Sequence, residues 1–251
     1  MLGVVRWLPT QLDTCSGKKQ NVMSRNQHPR KDLTRRVAGH LLAAILLFSA
    51  MLFIPAGTLF YWEAWVYLAI LFIPMSLVAV HLIRNDPELV ERRLRMKEKE
   101  AEQKLIIKLS YLYFAALLLL PGFDQRYGWS SVSTATVLVA DLVGVSGYLL
   151  FVIVLKQNRY ASRIIEVVPE QQVVMTGSYA LIRHPMYLAV LLMCNFTPLA
   201  LGSLWAMMPT PLLLILLVAR IRNEERVLSR DLPGYRDYCQ KVKYRIIPGI
   251  W

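Results

Sequence analysis

The sequence predicts an all-α integral membrane protein of five to six transmembrane helices, closing on a C-terminal helical hairpin. The first observation behind this is the arrangement of its 55% hydrophobic residues. Residues 37–60, 64–83, 105–120, 133–155, 186–201 and 203–219 are each nearly free of charge. About 20 apolar residues cross a hydrocarbon core of roughly 30 Å. The longer runs meet that length, 105–120 is marginal, and the last pair reads as a tight hairpin of short helices. Helices are expected because they satisfy their own backbone in lipid. The second observation is where the net charge of +12 lies. Eight Lys/Arg precede residue 37, eight lie in 84–108, four in 156–183 and eight after residue 219, against one in all the intervening loops, Arg126. This is the positive-inside pattern. It predicts a multi-pass protein with both termini cytoplasmic, and hence an even number of spans, six over five. The same distribution excludes nucleic acid as the partner of the basic residues.

Residues 1–36 form a basic, cytoplasmic N-terminal segment, expected to be disordered. The basic stretch after Met23 resembles a membrane-protein start, so residues 1–22 are read as a possible extension; intact residues before Met23 on terminal sequencing would refute that. No cleavable signal core is visible, since the first apolar run is too long for one. Residues 37–155 hold transmembrane helices 1–4. The first hairpin turns between Pro55 and Glu63 amid Tyr61, Trp62, Trp65 and Tyr67, an interfacial aromatic belt, and Glu63 is expected to face water. Pro87 marks a helix boundary and is able to open a new helix. The charge-dense stretch 88–104 reads as a solvated helix with i,i+4 pairs, or as one that meets anionic headgroups or helps cover a site. The third span is expected to end at Pro121-Gly122. Asp141 lies inside an apolar run, near Gly144 and Gly147, which allow close helix packing. Cys15, Cys194 and Cys239 are widely spaced and read as free thiols, with no metal-binding spacing.

Residues 156–251 carry the chemistry. Tyr179, Arg183, His184 and Tyr187 precede or open the fifth apolar run, and Pro185 suits the first turn of a helix. His184 then sits at a helix N-terminus, where N–H groups favour an anionic or polar ligand. The return helix brings Arg220, Glu224 and Glu225 to the same side, with Arg220 and Glu224 on one helix face. Flanking charges at span ends explain each residue singly. Their combination beside lipid, where ionisable groups are expensive, marks a functional site.

Gly177-x-Tyr179-x-x-x-Arg183-His184-Pro185-x-Tyr187, an apolar hairpin, Glu224-Glu225-x-x-Leu228, Tyr235-x-x-Tyr238 and Ile247-Pro248 together resemble the isoprenylcysteine carboxyl methyltransferases. Related phospholipid N-methyltransferases share the Arg-His-Pro and Glu-Glu parts. The resemblance covers about residues 158–251, and the closing stretch from Tyr244 looks like the bacterial-type branch. Met186 and Ala189 depart from the small residue and Gly often found there. The resemblance implies a cytoplasmic pocket for S-adenosylmethionine formed by Tyr179, Arg183, His184, Pro185, Tyr187, Glu224 and Glu225, with backbone near Gln171 and Val174 passing the adenine. It implies that Glu224 meets the cofactor's amino group and that Glu225 supports the network. Arg220 is implied as the catalytic residue, holding a substrate carboxylate, and no metal is implied.

The expected activity is methyl transfer to a lipophilic acceptor drawn from the bilayer among membrane lipids, at family level the carboxylate of a C-terminal S-isoprenylcysteine. An ionised carboxylate needs no base, whereas an amine must first lose a proton. No unambiguous base is present, which favours the carboxylate. A phospholipid or small-lipid N- or O-methyltransferase, and a non-catalytic membrane relative, remain the alternatives.

Overall fold

Each apolar run is helical in the computed structural model, which describes residues 14–94, 101–158, 160, 167–168 and 170–251, the side chains of 14–30 and 101–103 excepted. The helices are α1 (Thr14–Ala56), α2 (Trp62–Asn85), α3 (Pro87–Leu94), α4 (Ala101–Tyr127), α5 (Thr134–Gln157), α6 (Pro185–Ala200), α7 (Thr210–Asp231) and α8 (Tyr235–Lys241). Two 3-10 turns, Gly177–Ala180 and Trp205–Met207, lie between α5 and α6 and before α7. Among the described residues, five stretches are long and apolar enough to cross a membrane: Lys31–Ala56, Trp62–Asn85, Lys104–Tyr127, Thr134–Gln157 and Trp205–Asp231. The remaining apolar run, the fifth in chain order, is α6. Its 16 residues make a rod of about 24 Å at 1.5 Å per residue. The protein is thus an all-α integral membrane protein, with no strand among the described residues. Leu46, Leu77, Leu142 and Ile215 are more than half exposed, as befits side chains that meet lipid.

The basic segment expected to be disordered is helical from Thr14, continuous with the first span; residues 1–13 lie outside the described residues. Extending an existing helix adds one hydrogen bond per residue without the cost of a new nucleus. Within the stretch 88–104, residues 88–94 form a helix packed on the bundle rather than a fully solvated one. Asp86 Oδ1 accepts the Leu89 amide at 3.1 Å, Pro87 opens α3, and α3 buries Leu89 and Val90. Val90 packs with Leu33 of α1 and Ile83 of α2. Residues 95–100 lie outside the described residues.

The third span does not end at Pro121; α4 continues to Tyr127. Two contacts explain this. A Cβ on Gly122 would lie 2.5 Å from the Leu52 carbonyl oxygen, so α1 and α4 meet backbone to backbone there. Asp124, 2% exposed, accepts the Ser130 amide at 2.7 Å and the hydroxyls of Ser130 and Ser203 at 2.5 Å. This knot joins two connections at the end of the bundle remote from α3. Glu63 faces water only in part: the residue is half-buried, one carboxylate oxygen is buried without a partner, and the side chain lies against Gly202. Of the two glycines expected to permit close packing, only Gly147 does, with a Cβ placed there 3.0 Å from the Ala189 carbonyl oxygen of α6. A Cβ on Gly144 would meet nothing within 4 Å. That contact sets α6 along α5 more than along α7, so the last two runs are not a tight hairpin. Asp141 is 7% exposed and faces this helix seam.

Gly122→Ala is expected to destabilise the protein by about 1–3 kcal/mol, because backbone cannot yield as a side chain does. Gly144→Ala should be neutral or slightly stabilising, since alanine favours helix. Thermal unfolding of the two variants in detergent checks the contrast; equal melting temperatures would refute it.

Candidate functional site

The site is assembled at the end of the bundle where α5 stops and α6 starts. Gly177 stands at φ +62°, and any Cβ there would overlap the Gln157 side chain. Gln157 Oε1 accepts the Ser178 amide at 3.0 Å and Asn158 donates to the Tyr179 hydroxyl at 3.0 Å. The end of α5 therefore seats the turn that carries Tyr179. Pro185 opens α6 and leaves His184 as its N-cap residue. The tail secures this corner: the amides of Arg183 and His184 donate to the carbonyls of Tyr244 and Arg245 at 2.9 and 2.8 Å. Tyr238 donates to the Tyr179 carbonyl at 2.7 Å.

A half-open cavity of about 240 Å³ results. Of the residues singled out in the sequence, Gln171, Val174, Tyr179, Arg183, His184, Tyr187, Arg220 and Glu224 line it. Pro185 and Glu225 do not. Pro185 is buried in the first turn of α6. Glu225 sits behind the wall, where Oε1 accepts from Arg183 Nη1 at 3.1 Å and lies 3.3 Å from His184 Nε2, and Oε2 accepts from Arg245 Nε at 2.8 Å. Arg183 is a structural strut too. Its Nε donates to the Val242 carbonyl at 2.6 Å and its Nη2 to the Cys239 carbonyl at 2.9 Å. Two guanidiniums and the His184 imidazole thus converge on one carboxylate whose side chain is 12% exposed. Such a cluster holds geometry because both carboxylate oxygens and all three guanidinium nitrogens of Arg183 have partners.

The cavity face of the site is a chain of three groups. Arg220 Nε donates to the Tyr187 hydroxyl at 3.0 Å, and that hydroxyl donates to Glu224 Oε2 at 2.5 Å. Tyr187 is thereby oriented from both sides, and it holds a cation and an anion at fixed places in one wall. The phenols nearby are neutral. Burial pushes the Tyr179 hydroxyl up to about 12, with Glu224 adding to the rise against the lowering effect of Asn158 and Arg93. Burial also raises Tyr235 and Tyr238. No phenolate base stands ready at neutral pH.

Residues 138–230 match the model of the isoprenylcysteine carboxyl methyltransferase (ICMT) family. The matched segment runs from the second turn of α5 almost to the end of α7 and so includes the Arg183–Tyr187 corner and the Arg220–Glu224 face. It supports a membrane methyltransferase of this family. No curated protein matches the chain. The ICMT-matched segment does not supply the whole wall. Tyr235 and Tyr238 of α8, quoted above as part of the motif, lie beyond it and line the cavity. Arg93 of α3 lies before it and also lines the cavity. Sequence reasoning missed Arg93, since within a run of alternating charge nothing separates it from its neighbours. It also missed Phe151 and Val190, which read simply as span residues.

Proposed function

We propose that this protein transfers a methyl group from S-adenosylmethionine to the carboxylate of a lipophilic acceptor, at the cytoplasmic end of the bundle, with an S-isoprenylcysteine terminus as the acceptor class. The observation that carries the reading is the Arg220–Tyr187–Glu224 chain in the wall of one cavity. The residues fit the methyl donor: Glu224 is an acidic group suited to a cationic amino group, and the phenols of Tyr179, Tyr235 and Tyr238 offer flat, neutral walls. When bound, S-adenosylmethionine supplies an electrophilic methyl group.

The chain's own residues bind and align. Glu224 accepts hydrogen bonds from cationic groups and is linked through Tyr187 to the guanidinium of Arg220. Arg220 orients an acceptor carboxylate in a planar, charge-assisted contact. That acceptor is already ionised near neutral pH, so the absence of a phenolate base is consistent with this chemistry. Holding the reacting groups in line and excluding water is the larger part of the work.

Calorimetry on detergent-purified protein tests the reading. Wild type should bind S-adenosylmethionine at micromolar concentration, and Glu224→Ala should weaken binding about 100-fold, as expected for loss of a charge-assisted contact of roughly 3 kcal/mol. Absence of binding by well-folded wild type would refute it.

A further inference from the structure

The cavity lining is mixed. Tyr179, Tyr235, Tyr238 and Glu224 contribute polar groups, and Phe151 of α5 and Met186 and Val190 of α6 contribute apolar ones. Met186 and Val190 are four apart and so share a helix face. Arg93 packs against two of these apolar residues. Its guanidinium carbon lies 5.1 Å from the centre of the Phe151 ring, and Nη1 lies 3.9 Å from Met186 Sδ.

The position of Arg93 on its helix is what calls for explanation. Leu89 is 2% and Val90 8% exposed. Arg93 follows them by four and three residues and therefore lies on the same, inward face of α3. An apolar residue is the ordinary occupant of such a position. The capped and buried start of α3 fixes the helix against the bundle, so the arginine is presented to the cavity by an anchored helix. The guanidinium carbon lies within cation–π range of the Phe151 ring, and its N–H groups lie in one plane.

We propose that Arg93 is a specificity-determining residue of the acceptor site, and that together with Arg220 it selects an oxyanion carried on an apolar chain, a carboxylate or a phosphate. The proposal rests on the methyltransferase reading above and narrows it. Phe151, Met186 and Val190 receive the chain, and the two guanidiniums receive the head. The residues before position 138 thereby contribute to substrate choice, whereas the donor side is built from the C-terminal region.

The test measures binding of three amphiphiles to detergent-purified wild type, Arg93→Gln and Arg93→Lys, each without methyl donor: N-acetyl-S-farnesylcysteine, its neutral methyl ester, and farnesyl phosphate. S-adenosylmethionine affinity is measured separately on the same samples. Wild type should bind at least one of the two acids about 10-fold or more tighter than the ester. The tighter acid identifies the oxyanion. Arg93→Gln should reduce the preference to within about threefold, Arg93→Lys should restore part of it, and the affinity for S-adenosylmethionine should stay within about threefold of wild type. A wild type that does not distinguish acid from ester overturns the proposal. So does an Arg93→Gln protein that keeps the preference, or one that loses methyl-donor affinity instead. Because the lipid measurements use no methyl donor, a failure of the donor reading shows only in the separate measurement.

Discussion

Glu225→Gln is expected to give the largest structural loss of any single substitution at the site. The side chain touches no part of the cavity, yet Arg183, His184 and Arg245 all converge on it. Its side chain is 12% exposed, beside 11% for Arg183 and 4% for His184. Removing one member of a buried ion pair leaves an uncompensated charge and costs about 3–5 kcal/mol. Glutamine keeps the size of the side chain but loses the charge, and its amide nitrogen must face a donor on one side. The corner that carries Tyr179, His184 and Tyr187 should loosen, and affinity for S-adenosylmethionine should fall along with the melting temperature. Arg245→Gln should be milder, because its side chain is 32% exposed and water can replace it. Thermal unfolding followed by tryptophan fluorescence, with calorimetry on the same samples, checks both. An unchanged melting temperature for Glu225→Gln would sink the structural role.

Arg220→Gln is expected to separate the two halves of the reaction. The guanidinium reaches Tyr187, which in turn holds Glu224, so the anion proposed to meet the methyl donor stays in place. Removing a cation near a cationic ligand leaves donor affinity equal or slightly tighter. The acceptor loses its charge-assisted partner, and kcat/KM for a carboxylate acceptor should drop about 100- to 1,000-fold. Methyl-transfer kinetics with N-acetyl-S-farnesylcysteine, beside donor calorimetry, make the measurement. Loss of donor binding with kcat/KM otherwise intact would place Arg220 on the donor side and reverse the assignment.

Much of the fold was legible in hydropathy and punctuation. The apolar runs became helices, and Pro87 and Pro185 opened α3 and α6. Each rests on forces acting within a few residues, so local reading suffices. Pro121 shows the limit. A proline locally argues for a helix end, but packing of Gly122 on α1 and the Asp124 knot carry α4 onward. Gly144 and Gly147 look alike in sequence, and only the placement of α6 distinguishes them.

By itself the sequence determined the membrane class, the helices, and the corner at which an Arg-His-Pro and a Glu-Glu would meet, because burial in lipid and backbone hydrogen bonding leave few alternatives over 20 residues. Only the tertiary structure decided which members of that corner face the cavity. Glu224 and Glu225 are adjacent, and their side chains leave the helix about 100° apart, so one enters the wall and the other anchors it from behind. It was likewise the docking of α3 on α1 and α2 that brought Arg93 over Phe151. Those residues are 58 positions apart, and contact at that distance comes from packing, which no local pattern encodes.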